Sequence, residues 1–281
     1  MSDLLRTLLL ALQFFTRIPL PAAWAQWADF SPARLRAAIA CMPIVGWLVG
    51  GVAAAVFAAV LQLWGTPWMW RHAPGLLLAL AALLSTAATI GLTGAMHEDG
   101  LADVADALLG SADAERALQI MKDPRVGSYA VLALVLALLL KTALLAVLAL
   151  LNVQAALYLL LAAHVLSRFF PLLLVNRLPH VGLAGQSKTQ QMAGVIDRIQ
   201  LWPATLCCLP LVVVCWWLPQ GPRLLLATGL CALAAGAVAL GMGHWFKRRL
   251  QGFTGDCLGA TQQVCELACY ATALTVLLHL G

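Results

Sequence analysis

Residues 128–150 read SYAVLALVLALLLKTALLAVLAL and contain a single charged side chain, Lys141. A helix of this length covers about 35 Å, which exceeds the ~30 Å of hydrocarbon in a bilayer. Similar apolar runs recur along the chain and predict seven transmembrane helices, at about 37–63, 74–95, 128–150, 155–175, 201–218, 224–243 and 258–280. A hydrophobic content of 62% and a mean hydropathy of +0.90 exclude a soluble globular domain.

The expected fold is therefore all-α: a polytopic integral membrane protein that forms one domain over residues 1–281. The segment 4–20 is apolar but interrupted by Arg6, Arg17 and Pro19. It predicts an amphipathic helix at the membrane interface, or a short element inside the bilayer, rather than a signal peptide.

The cations predict the orientation of these helices. With the amino terminus in the cytosol, 14 of the 17 Lys and Arg residues lie in or near cytoplasmic segments. Arg71 and Arg223 lie outside, and Lys141 lies within the membrane. We therefore expect a multi-pass protein of the bacterial inner membrane with its polar loops in the cytosol. The net charge of +5 reflects this topology and does not indicate a nucleic-acid partner.

The longest polar loop begins with HEDGLADVAD, residues 97–106, which holds four of the 12 acidic residues in the chain. On a helix, Asp99, Asp103 and Asp106 would share an arc of about 60°. Carboxylate oxygens on one helix face suit Mg²⁺ or Mn²⁺ with a phosphate ligand. A solvated acidic face is the alternative, but no Lys or Arg between residues 72 and 115 could balance it. We favour a metal site.

Further polar residues follow in two other loops. Lys122 and Arg125 flank a turn predicted by Pro124, where they suit a pyrophosphate or anchor the next helix at the membrane surface. Asp256 opens the last predicted helix, either as its cap or as a ligand. The glycine-containing loop within 176–200 either folds over a ligand as a lid or simply connects two helices.

Ionisable residues also occur inside predicted spans. Lys141 and Glu266 would each cost at least ~2.5 kcal/mol if unpaired in hydrocarbon. Either they pair with each other, or Lys141 extends toward the membrane surface or lines the cavity. Arg168 lies one helical turn after His164, near the cytoplasmic end of its span, from which it could reach the acidic site.

Asp-Gly-Leu-Ala-Asp-x-x-Asp at 99–106 resembles the acidic motif of the cobalamin synthase family, the adenosylcobinamide-GDP ribazoletransferases. Four other stretches resemble that family and occur in the expected order, so the resemblance covers nearly the whole chain. They are QFFTRIPLP at 13–21, MKDPRVGSY at 121–129, LSR at 166–168 and GFTGDCLGA at 252–260.

The resemblance implies a Mg²⁺-dependent enzyme, with Mn²⁺ as an option, that joins adenosylcobinamide-GDP to α-ribazole or its 5′-phosphate and releases GMP. Its partners would be these substrates and membrane lipid, but not nucleic acid. Association with other enzymes of nucleotide-loop assembly is an option. Together with the residue pattern, the resemblance assigns roles to eight residues, one of which is Glu98. The metal ligands would be Glu98, Asp99, Asp103 and Asp106, the last three also catalytic, and the substrate-binding residues Lys122, Arg125, Arg168 and Asp256.

Two other functions would use a similar set of acidic residues in a membrane protein. A CDP-alcohol phosphotransferase would use a similar acidic helix, but that family expects Ala-Arg where this chain has Ala102-Asp103. A divalent-cation transporter would place its acids in broken helices near the middle of the bilayer rather than in a loop.

Overall fold

The computed structural model describes residues 2–111, 113–181, 199 and 201–280. The regular structure of these residues is helical and includes no strand. His180 and Phe253 form an isolated β-bridge. The loop considered as a lid lies almost entirely outside the described residues. The helices are α1 Ser2–Phe15, α2 Ala22–Ala28, α3 Pro32–Ala40, α4 Met42–Trp64, α5 Pro67–His72, α6 Pro74–Thr93, α7 Met96–Gly110, α8 Ala114–Ile120, α9 Ser128–Leu151, α10 Val153–Phe169, α11 Leu172–Arg177, α12 Leu201–Cys208, α13 Pro210–Trp216, α14 Gly221–Leu250 and α15 Gly255–Leu280.

This architecture confirms the predicted all-α, multi-pass membrane fold. Within the described residues, five segments are long and apolar enough to cross a bilayer; they are Met42–Trp64, Pro74–Thr93, Ser128–Leu151, Val153–Arg177 and Gly221–Leu250. The span predicted at 201–218 is a shorter apolar pair, α12 and α13, which is interrupted just before Pro210 because proline cannot continue a hydrogen-bonded helix. The span predicted at 258–280 lies within the 26 residues of α15.

Small residues let neighbouring antiparallel helices approach closely. A Cβ atom at Gly46 of α4 would lie 2.6 Å from the backbone oxygen of His164 in α10, so only glycine fits there. Further along the same pair, Gly50 faces Leu161. The central helices therefore pack backbone against backbone, which leaves little room for lipid between them.

The first helix has one buried face. Thr7, Leu10, Ala11 and Phe15 of α1 recur every three to four residues and are buried against the bundle, while Leu5 and Gln13 on the other side are exposed. This pattern matches the predicted amphipathic helix, although the helix ends at Phe15 rather than near residue 20.

A sharp turn sets the direction of α7, the helix that carries the acidic motif. Gly94 and Ala95 both adopt left-handed backbone conformations, with φ angles of 68° and 59°. Gly94 thereby ends α6 in the manner of a helix C-cap, and the chain changes direction before α7 begins at Met96. This turn brings α7 against α9 and α15 at one end of the bundle.

A buried ion pair joins two of the membrane helices. Lys141 Nζ of α9 lies 2.6 Å from Glu266 Oε1 of α15, and both side chains are almost fully buried. Glu266 also accepts hydrogen bonds from Gln262 Nε2 at 2.8 Å and from the hydroxyl of Tyr270 at 2.9 Å. The pairing considered from sequence is therefore confirmed as a contact, and Lys141 does not extend toward the membrane surface.

We expect Lys141→Met to lower the free energy of unfolding in detergent by about 3 kcal/mol, because it leaves the Glu266 carboxylate without its cation in a buried site. The double variant Lys141→Met with Glu266→Gln should recover much of that loss in a thermal or denaturant unfolding measurement. Leu140→Met, an exposed position in the same helix, is the control and should be nearly neutral. The pair would not be energetically coupled if the separate effects of Lys141→Met and Glu266→Gln summed to the effect of the double variant within about 0.5 kcal/mol.

Candidate functional site

A cavity of about 450 Å³ opens at the end of the bundle where α7, the turn before α9 and the start of α15 meet. Five carboxylates and two cations are among its lining residues. The full lining is Asp99, Ala102, Asp103, Asp106, Met121, Lys122, Asp123, Pro124, Arg125, Val126, Ala130 and Asp256. The structure thus brings together six of the eight residues predicted for the site, from three separate stretches of sequence.

The three aspartates of α7 share the cavity face that their spacing predicted. Asp99 is exposed, whereas Asp103 and Asp106 are partly buried. Burial, together with the negative charges of Asp256, Asp99 and Asp106, raises the pKa of Asp103 to about 7, and the charge of Lys122 opposes this shift only in part. The cavity therefore holds more negative charge than its own cations balance.

Asp106 has a second role that joins two of the sequence motifs. Its Oδ2 accepts a hydrogen bond from the backbone N–H of Gly127 at 2.6 Å, and its Oδ1 accepts one from Ala130 at 2.8 Å. The carboxylate thus satisfies free N–H groups at the start of α9, where the helix dipole favours negative charge. The sequence alone does not indicate this contact, because the two donors lie 21 and 24 residues after Asp106.

Asp256 faces Lys122 across the cavity. Lys122 Nζ lies 3.4 Å from Asp256 Oδ2, and the Thr254 hydroxyl donates to the same oxygen at 3.3 Å. Thr254 also accepts a hydrogen bond from the backbone N–H of Cys257 at 3.4 Å. The threonine therefore takes the capping role considered for Asp256, which leaves the Asp256 carboxylate directed at the cavity.

Arg125 lies at the rim of the cavity and is paired with Asp123. Its Nε donates to both carboxylate oxygens of Asp123, at 2.9 and 3.1 Å, and its terminal nitrogen lies 2.5 Å from Oδ2. The guanidinium holds the pKa of Asp123 down to about 2. Because this pair is solvent-exposed it is worth little net free energy, so Arg125 can exchange its partner for a phosphate.

Glu98 and Arg168 are not in this cavity. Glu98 is buried and accepts a hydrogen bond from Gln263 Nε2 at 3.0 Å, while Arg168 is buried and donates to the backbone oxygen of His164 at 3.0 Å. Glu98 differs from Asp99 by one residue, or 100° around the helix, so it points into the bundle. Burial raises the pKa of Glu98.

Several polar residues of the interior were missed at the sequence level. Gln262 and Gln263 connect Glu266 to Glu98, since Gln263 Nε2 donates to the side-chain oxygen of Gln262 at 3.0 Å. Gln262 Nε2 also donates to Ser167 Oγ at 2.9 Å. The two adjacent glutamines within an apolar predicted span could have indicated this buried network, because polar side chains are rare inside transmembrane helices unless they pair.

The carboxylates of the cavity are suited to a divalent metal. Among the described residues, no three His, Cys, Asp or Glu side chains form a ready-made metal-binding group. Mg²⁺, however, is commonly held by one or two carboxylates together with substrate phosphates and water. Asp99 and Asp103 on one cavity wall, within an excess of negative charge, fit that kind of site.

The family described as cobalamin-5-phosphate synthase matches residues 7–274 of the chain. The chain belongs to this family. Relatives named adenosylcobinamide-GDP ribazoletransferase include those of Albidiferax ferrireducens, 49% identical over 96% of this chain and 98% of the relative, and Shewanella piezotolerans, 36% identical over 97% and 96%. The Vibrio cholerae relative is 35% identical over 98% and 95%. No solved structure matches the chain.

In this member of the family, Gly127 should not tolerate a side chain. A Cβ atom there would lie 2.6 Å from Asp106 Oδ1, so Gly127→Ala should displace the carboxylate from α9 and lower the free energy of unfolding by about 1–3 kcal/mol. Gly75→Ala, also near a helix start but with nothing within 4 Å, is the matched control for thermal unfolding. Equal stability of the two variants would show that the contact with Asp106 carries little free energy.

Proposed function

We propose that this chain joins adenosylcobinamide-GDP to α-ribazole, or to its 5′-phosphate, and releases GMP. Family membership supports the reaction, and relatives that align over nearly the whole chain carry the name of this activity. The structural observation that carries the proposal is the cavity in which acidic residues of α7 and α15 face Lys122 and Arg125. Such a cavity combines groups for a metal ion with groups for a pyrophosphate.

The chemistry is a displacement at phosphorus. A ribose hydroxyl of the ribazole substrate attacks the cobinamide-side phosphorus of the pyrophosphate, which forms a new oxygen–phosphorus bond. The bond from that phosphorus to the bridging oxygen breaks, and GMP leaves with the bridging oxygen. The hydroxyl proton passes to a base of the cavity.

The remaining residues of the cavity bind and orient the substrates. Lys122 and Arg125 exchange their present carboxylate partners for oxygens of the pyrophosphate. Asp99, Asp103 and Asp106 hold Mg²⁺, or Mn²⁺, and Asp256 assists from the facing helix. When bound, the ion supplies charge compensation for the developing phosphate charge. Glu98 and Arg168 do not line the cavity; both make buried hydrogen bonds inside the bundle and are not placed to touch the substrate.

The purified protein, supplied with adenosylcobinamide-GDP and α-ribazole, should release GMP only when Mg²⁺ or Mn²⁺ is present. Asp99→Asn and Asp103→Asn should each lower the rate at least ~100-fold, because each removes a charged ligand from the cavity. Asp113→Asn is the control: Asp113 caps α8 outside the cavity, and asparagine caps equally well.

Near-normal GMP release by either folded cavity variant would remove that residue from the metal site. No GMP release by the wild-type protein under any of these metal conditions would overturn the proposed reaction.

Stabilisation of the protein by Mg²⁺ should grow as pH rises from 6 to 8. In the metal-free folded protein Asp103 stays protonated up to about pH 7, whereas in the unfolded chain it ionises near pH 4. The folded state therefore binds more protons between these values, and stability falls as pH rises through this range. Mg²⁺ must displace the Asp103 proton, so its effect on the melting temperature should be larger at pH 8 than at pH 6.

Asp103→Asn should remove this pH dependence of the Mg²⁺ effect. Asp123→Asn should retain it, because Arg125 keeps Asp123 ionised throughout the range. The same Mg²⁺ effect at both pH values in the wild-type protein would contradict the assignment of Asp103 as a ligand.

We also propose that the cavity faces the cytosol of a bacterial inner membrane. The predicted spans support this orientation, since nearly all Lys and Arg residues fall on the side of the cavity. Ser111, at the end of α7, is a suitable position for the test. A cysteine placed there in a variant without other exposed cysteines should resist labelling by an impermeant reagent added to intact cells. Labelling would reverse the orientation.

A further inference from the structure

A second cavity lies on the outer surface of the bundle, between α11 and α14. It encloses about 200 Å³ and shares no lining residue with the acidic cavity. Leu173, Leu174 and Leu178 form one wall, and Ala239 and Gly243 form part of the other. A Cβ atom at Gly243 would lie 3.7 Å from the side chain of Leu174, which is an ordinary van der Waals distance. The glycine therefore leaves the floor of the cavity open, and no backbone packs closely against it.

One end of this groove is cationic. Arg177 ends α11, and His244 and Lys247 lie one turn apart near the end of α14; all three are exposed and line the groove. None of the described residues that line it is acidic. The described structure also records no ion pair for Arg177 or Lys247, although it records several for other cations. The positive charge at this end is thus available to an anion from outside.

The position of the groove in the membrane follows from the chain path. Both α11 and α14 belong to segments apolar and long enough to span a bilayer, and both end on the side of the acidic cavity. Ala239 precedes Lys247 by eight residues, so the groove runs about 12 Å along α14 from the apolar region to the helix end. An occupant would need an apolar body within the membrane and a negative group at its surface.

From this arrangement we infer a binding site for one anionic phospholipid, with an acyl chain against the leucines and its phosphate at Arg177 and Lys247. Lys and Arg side chains at a membrane surface bind anionic lipids, each contributing to affinity. A peptide helix would need a longer apolar surface than this short groove offers, and a soluble phosphate compound would leave the leucine wall uncovered. The bound lipid would bridge α11 and α14.

The test measures lipid binding to the detergent-purified full-length protein by native mass spectrometry, with phosphatidylglycerol and phosphatidylcholine titrated separately. The wild-type protein should retain one phosphatidylglycerol molecule at concentrations that leave phosphatidylcholine unbound. Arg177→Gln with Lys247→Gln should weaken phosphatidylglycerol binding by about tenfold or more. Gly243→Leu keeps every cation but fills the floor of the groove, and it should also weaken binding.

Arg248→Gln is the matched control, because Arg248 is exposed in the same last turn of α14 but does not line the groove. The affinity of the Arg248→Gln variant for phosphatidylglycerol should stay within about threefold of that of the wild type. If the lipid were attracted only by positive charge in general, the loss of Arg248 would weaken binding more than this. Equal affinity for both lipids would overturn the proposal, as would equal losses in Arg248→Gln and the double variant. If the double variant does not fold, Gly243→Leu decides: unchanged phosphatidylglycerol binding in it would overturn the site.

Discussion

The close approach of α7 to α15 is the constraint on which the acidic cavity depends. A Cβ atom at Gly100 would lie 2.7 Å from the backbone oxygen of Asp256, and one at Gly259 would lie 3.3 Å from the backbone of His97. Because glycine allows these two backbones to touch, the aspartates of α7 and the carboxylate of Asp256 face one space. A larger residue at Gly100 would push the two walls apart.

The buried polar residues behind α7 fix the same helices from the other side. Glu98 is joined through Gln263 and Gln262 to Glu266, which is paired with Lys141. Each polar group would be costly in hydrocarbon without its partner, so the network favours one register of α7, α9 and α15. A purely apolar interface between these helices would tolerate sliding, whereas displacement of this network would leave charges unpaired. The arrangement therefore links the polar interior of the membrane region to the geometry of the cavity.

The sequence predicted the features that depend on local pattern. Apolar runs give membrane helices because length and hydropathy are local, and the spacing of Asp99, Asp103 and Asp106 places them on one face because helical periodicity is fixed. Glu98 was included with the metal ligands for its place in the motif, although the same periodicity points it away from them. The cap that Asp106 forms on α9 depends on how two distant segments pack. That packing is tertiary information, which neither composition nor periodicity contains.

The charge of the cavity gives the physical reason for proposing a divalent cation. Five carboxylates and two cations line a space whose proposed substrate is a pyrophosphate, so the protein alone presents net negative charge to an anion. Two like charges about 4 Å apart repel by about 4 kcal/mol at an effective dielectric constant of 20. The raised pKa of Asp103 reflects its burial first and then the same repulsion. Lys122 and Arg125 are two cations and cannot balance both the five carboxylates and a pyrophosphate, which is why we propose that a divalent cation enters with the substrate.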